Sequence, residues 1–174
     1  MLKNSDNLIA DTLTKTLGAK FFVQPGSFTN GTEAIKQIIF ANTGIDIRNA
    51  RLEDGSGLSR NNRISATKMA EMLRYIWKHE NELKLIAIMP KSGESGTLKY
   101  RQSMRKLPIK GQLIAKSGSI YGTYNMAGYG LDKMVNLTPF LFSLFQTTSQ
   151  KNGTTTHLSS PRLHILSSFF TMTL

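Results

Sequence analysis

Three short runs in this sequence bring hydroxyl, carboxamide and ammonium groups to close spacing: Ser5-Asp6-Asn7, Asp54-Gly55-Ser56-Gly57-Leu58-Ser59-Arg60 and Lys116-Ser117-Gly118-Ser119. These runs separate the chain from a generic globular domain and are its candidates for carrying chemistry. Taken singly, each run has an ordinary explanation. Ser-x-Asn is a common helix cap, and Lys-Ser-Gly recurs by chance. Their occurrence together, in this order, carries more information than any one of them.

Other chemistries have less support. The chain contains no Cys, which excludes thiol catalysis, disulfide scaffolds, iron–sulfur clusters and Cys-ligated zinc, and leaves the redox compartment open. His79, His157 and His164 lack metal-ligand spacing, so no metal or cofactor is expected. Glu33, Glu53, Asp54, Glu71, Glu80 and Glu82 could include a carboxylate pair, but charges on helical faces are usually solvated. Asp54 is expected to hold its own glycine turn.

The elements that must position these runs follow from periodicity and caps. Leu8, Ile9, Leu13 and Leu17 fall at helical spacing, with Ser5, Asp6 or Asn7 as cap and Gly18 as the stop. A loop over Gln24 to Gly31 precedes a second helix from about Thr32, which ends at Gly44. The strongest helix starts at a Ser65 cap and carries Met69, Met72, Leu73, Ile76 and Trp77 on one stripe, read as core. Leu113 to Ser119 and Tyr124 to Gly130 read as two strands of an antiparallel hairpin. Helices first and sheet late argue for an α+β fold.

The 174 residues fit one domain, and 40% hydrophobic content suffices for a core. The formal charge of +11 suggests acidic partners: nucleic acid, anionic lipid or a carboxylate substrate. Lys and Arg are dispersed and no nucleic-acid module is visible, so a basic nucleic-acid-binding domain is only an alternative reading. No secretory signal follows Met1, and the longest apolar stretch, Leu137 to Phe145, is too short to span a bilayer.

The motifs and their flanks, Asp6-Asn7-Leu8-Ile9-Ala10-Asp11, Asp54 through Ser65, and Lys116 through Tyr129, resemble the D-alanyl-D-alanine carboxypeptidase/endopeptidase family, the low-molecular-mass class C penicillin-binding proteins. The resemblance runs from residue 1 to about 133. It implies an incomplete transpeptidase/β-lactamase-like domain, with a helical cluster beside an antiparallel sheet. It also implies a metal-free serine peptidase whose parent is periplasmic, acting on peptidoglycan stem peptides and binding β-lactams. By the same resemblance, Ser5 belongs to the proton relay to the leaving amine. Asn7 bonds the substrate amide and the catalytic Lys, and Lys116 supplies charge to the relay and to the substrate carboxylate. Ser117 adds a hydroxyl to that carboxylate, and Gly118 lets substrate backbone lie on the strand. The Ser119 N–H is one oxyanion-hole donor, a contribution of about 3–4 kcal/mol in comparable sites. Tyr121 and Tyr124 are candidates to line the cleft.

The family's Ser-x-x-Lys nucleophile motif should precede Ser-x-Asn, yet only four residues precede Ser5. Ser65-Ala66-Thr67-Lys68 and Ser103-Met104-Arg105-Lys106 are out of order; Ser65 reads as a cap and Ser103 as a chance match. The expectation is a chain without its nucleophile: a truncated or re-started product, inactive alone, with a non-catalytic remnant that binds peptide carboxylates weakly as the alternative. Residues 134–174 contain no Asp or Glu, and 14 of these 41 residues are Ser or Thr. An Asn-Gly-Lys-Pro turn read one nucleotide late can encode Met134-Val135-Asn136-Leu137, so a frameshift near Lys133 is the expectation, with a natural Ser/Thr-rich C-terminus as the alternative.

Overall fold

The computed structural model describes residues 1–121, 123–131 and 137–145. Helices α1 (Asn7–Phe22), α2 (Phe28–Thr43) and α3 (Ala66–Lys78) come first. Short helices α4 (Glu80–Leu83) and α5 (Gln102–Arg105) follow, then strands β1 (Leu113–Ile120), β2 (Thr123–Leu131) and β3 (Leu137–Phe145). The strands form one antiparallel sheet in the order β1-β2-β3. The hairpin register pairs Ile120 with Thr123 and Leu113 with Gly130, so the expected α+β architecture with a late antiparallel hairpin is what the chain adopts. Strand β3 pairs with β2 from Leu131↔Leu137 to Thr123↔Phe145, and therefore lies within the segment set apart by composition. The proposed junction at residues 132–136, and the chain from 146 onward, lie outside the described residues.

Helices α1 and α2 pack together, and their crossing corrects two sequence expectations. Gly18 does not end α1 but is buried within it. A Cβ at Gly18 would strike the backbone of Gly31 and the Asn30 side chain, and one at Gly31 would strike the Thr14 backbone. Glycine is needed here for close approach of two helices. The helix ends four residues later, at Phe22, and Val23, at φ 55°, caps it in the left-handed region. Nor does the loop run to Gly31. Ser27 caps α2 by accepting from Asn30 N at 3.1 Å, while Asn30 Oδ1 accepts from Ser27 N at 2.7 Å. This reciprocal capping box starts the helix at Phe28, four residues before the expected Thr32. Gly44, at φ 71°, ends α2 as expected.

Ser65 caps α3 through Lys68 N. Of the expected stripe, Leu73 is buried with Ile86 and Tyr129, and Met69 and Ile76 pack against them; Trp77 instead remains 42% exposed. Tyr129, fully buried on β2, donates its hydroxyl to Leu73 O at 2.8 Å and so fastens the sheet to α3. Burial, with Glu80 adding, pushes its phenol up to about 12. The neutral form is therefore favoured in the folded state. This stabilisation is complete below the ordinary value near 10 and is lost as pH rises through 12. Chemical denaturation at pH 9 and pH 11.5 should show a loss of stability in the wild type that is smaller in Tyr129→Phe.

Candidate active site

The first run is held against the turn at Gly96 and Thr97 by its neighbours. Lys3 O accepts from Thr97 N at 3.1 Å, and Gly96 packs so closely under Lys3 that a Cβ there would meet its carbonyl. Asp6 is the actual cap of α1, accepting from Ile9 N at 2.9 Å. Ser5, between these two anchors, has a φ of 54°. Holding a non-glycine residue in that left-handed conformation costs about 1–2 kcal/mol. The resulting turn presents the Ser5 hydroxyl to β1.

The β1 edge is built by a second set of contacts. Ser92, fully buried, donates its hydroxyl to Ile109 O at 2.7 Å and accepts from Leu113 N at 3.1 Å. Ser92 N donates to Leu113 O, and Ala115 N donates to Pro90 O at 2.9 Å. The segment around Lys91 thus covers the outer edge of β1 as far as Ala115. From there, period-two alternation turns the N–H groups of Ser117 and Ser119 outward, away from β2. Beside them, nothing lies within 4 Å of where a Gly118 Cβ would stand.

Across this open edge, Lys116 Nζ donates to Ser5 Oγ at 2.8 Å and to Ser117 O at 2.5 Å, joining residues 111 positions apart. Burial, and secondarily the positive charge of Arg101, lower the Lys116 pKa. Arg101 Nη2 donates to Ser117 Oγ at 3.3 Å. The structure thus brings Ser5, Lys116 and Ser117 into one hydrogen-bonded group. Asn7 and Ser119 are exposed beside it, and their side chains make no hydrogen bond among the described residues. Sequence reading missed Arg101. It stands outside every motif, and only the fold brings it to β1.

The glycine run joins the same assembly. Asp54 holds its turn as expected, accepting from Gly57 N at 2.8 Å, Ser59 N at 2.6 Å and Asn62 Nδ2 at 2.9 Å. Asp11 on α1 accepts from Gly55 N and Ser56 N, and a Cβ at Gly55 would strike Thr14 and the Ala10 carbonyl. At the far end of the run, the Arg60 guanidinium lies 5.7 Å from the centroid of the Tyr121 ring, at the hairpin tip. Tyr121 is largely exposed and Tyr124 partly so.

The two late Ser-x-x-Lys matches have other engagements. Lys68 Nζ pairs with Glu71 at 2.8 Å, and Ser65 and Lys68 line a separate groove of about 400 Å³ with Asp46, Ile47 and Arg63. Ser103 is exposed on α5.

A helical cluster meeting the edge of an antiparallel sheet, with Ser-x-Asn facing Lys-Ser-Gly across the join, is the architecture of part of a transpeptidase/β-lactamase-like domain. The D-Ala-D-Ala carboxypeptidase 3 (S13) family profile matches residues 1–159, and the chain belongs to this family. It is 41% identical over 129 residues to the D-alanyl-D-alanine carboxypeptidase DacB of Haemophilus influenzae, covering 74% of this chain and 27% of that protein. The carboxypeptidase DacB of Mycolicibacterium smegmatis is 31% identical over 144 residues, covering 80% of this chain and 31% of that one. Among solved structures, penicillin binding protein 4 (dacB) from Haemophilus influenzae superposes with a TM-score of 0.79 at 36% identity, over 90% of this chain and 34% of that one. The same protein complexed with a β-lactam gives a TM-score of 0.77 at 38% identity, over 81% and 32% of the two chains. This chain spans about a quarter to a third of the length of these relatives. The nucleic-acid reading finds no support in the comparisons. Among the described residues, no helix is long and apolar enough to cross a membrane.

Proposed function

We propose that this chain forms the leaving-group and carboxylate side of a serine D-Ala-D-Ala carboxypeptidase site that acts on peptidoglycan stem peptides in the periplasm. The observation that carries the reading is the Lys116–Ser5 hydrogen bond at the open β1 edge. A lysine amine sharing a proton with a serine hydroxyl is a route by which a proton reaches a departing amine. The same ammonium, partly desolvated, attracts the terminal carboxylate of a D-Ala-D-Ala peptide more strongly than it would in water. Ser117 contributes a hydroxyl to that carboxylate, and the outward Ser119 N–H is assigned as a donor to the substrate carbonyl oxygen. Asn7, at the start of α1, is assigned to the substrate amide. The β-lactam complex of the Haemophilus relative supports β-lactams as ligands of this site.

No serine of this chain is assigned as nucleophile, because neither Ser-x-x-Lys match is built into this group. A fluorescent penicillin incubated with the 174-residue chain should therefore bind reversibly, competed by N-acetyl-D-Ala-D-Ala, and should leave no covalent label after denaturation. A stable label on any serine would refute the assignment of roles. Absence of competable binding would remove the site itself.

A further inference from the structure

We propose that Arg101 is a positioning residue of this site, orienting the Ser117 hydroxyl and adding a second positive charge for the carboxylate of a peptide C-terminus. The inference rests on the reading of the β1 edge as a peptide-carboxylate site and adds a residue from outside its motifs. Arg101 stands immediately before α5, and its Nη2 donates to Ser117 Oγ at 3.3 Å. The Ser117 oxygen is thereby used as an acceptor, so its own hydrogen points away from the guanidinium and is available to an anion. A hydroxyl whose oxygen already accepts from a cation is also a stronger donor. Ser117 is 7% exposed, so its hydroxyl has little freedom to choose water instead.

Charge makes the second half of the argument. Arg101 and Lys116 approach Ser117 from two sides, one through its hydroxyl and the other through its carbonyl. Among the described residues, neither cation is in a salt bridge, although four other Lys or Arg residues form such pairs. Two cations around one buried serine without a carboxylate repel each other, and the lowered pKa of Lys116 records that repulsion after burial. An anion placed between them relieves it. The guanidinium carries five N–H donors in a planar fork suited to a carboxylate, and its bond to Ser117, at 3.3 Å, is long for an N–H···O bond and uses one donor, leaving others to offer. A peptide C-terminus satisfies both cations while its backbone runs along the open edge past Gly118; a free inorganic anion satisfies only the charge.

The test uses the intact chain with three probes, N-acetyl-D-Ala-D-Ala, its C-terminal amide and inorganic phosphate, against wild type, Arg101→Met and Arg101→Lys. Wild type should prefer the free carboxylate to the amide and bind phosphate more weakly than the peptide. Arg101→Met should lose about tenfold to hundredfold in affinity for the carboxylate peptide, the range of one charge-assisted hydrogen bond, with binding of the amide unchanged. Arg101→Lys, which keeps the charge and loses the fork, should fall between. NMR titration of the Lys116 side chain should show its pKa rising in Arg101→Met. Undiminished carboxylate preference in Arg101→Met overturns the inference and leaves the carboxypeptidase reading standing. Equal losses for carboxylate and amide also overturn it, because they mark a merely structural role. Wild type with no preference for carboxylate, or with phosphate bound as tightly as the peptide, overturns both the inference and the reading beneath it.

Discussion

Gly18→Ala is expected to destabilise the protein by about 3 kcal/mol, although glycine to alanine inside a helix ordinarily stabilises by about 1 kcal/mol. The sign is set by what surrounds the position. A methyl at residue 18 meets the backbone of Gly31 and the side chain of Asn30, and neither can yield. Gly31 is fixed in the ladder of α2, and Asn30 holds the capping box while donating to Pro25 O at 2.8 Å. Accommodation therefore needs α1 and α2 to separate, which uncovers Thr14 and Thr32. The disturbance also reaches the glycine run, because Asp11 and Thr14 of α1 hold Gly55. Gly44→Ala is the control. It has open space around it and strains only the backbone, so about 1 kcal/mol is expected there. Urea denaturation of both variants checks the pair; a neutral or stabilising Gly18→Ala would mean that the helices do not cross at this point.

Lys116→Ala should have the larger effect on ligand binding, and removal of the charge alone the opposite effect on stability. Removing the ammonium deletes the bond to Ser5 and the charge facing the carboxylate, and affinity for N-acetyl-D-Ala-D-Ala should fall at least tenfold. Stability follows from the sign of the shift. Burial and Arg101 disfavour the charged amine, so the folded pKa lies below the ordinary 10.5. The resulting penalty is present at all pH values below the folded pKa and is relieved as pH rises from there towards 10.5. Lys116→Met, which keeps the stem and removes the charge, should therefore be more stable than wild type at pH 7, with the difference fading at alkaline pH. Ligand binding by the wild type should weaken with rising pH ahead of an ordinary lysine. A gain in stability coupled to a loss of binding is the mark of a charge retained for function.

Local signals in the sequence were sufficient where the interaction is itself local. Asp54 bonds amides three and five residues away, Ser65 bonds one three residues away, and the hairpin is decided by two alternating segments around a short turn. Gly18 misled because a glycine after an apolar run is the usual stop signal, whereas here its meaning comes from residues 30 and 31 on another helix. Asn30 escaped because the capping-box template looks for Glu or Gln at that position. In the site, Ser5, Asn7 and Lys116 were selected by resemblance, but the Ser5–Lys116 bond spans 111 residues and has no local trace. Arg101 is an ordinary basic residue in a basic chain; only its placement against Ser117 distinguishes it.

The uncovered half of β1 has a bearing on self-association as well as on chemistry. An exposed strand edge with a bare Gly118 is a template on which another copy of the chain can pair. Two such edges meeting antiparallel would bring the Lys116 and Arg101 of each copy together, in a protein that already carries +11. In such a pairing these cations would repel one another, which disfavours closure of the edge on a second copy.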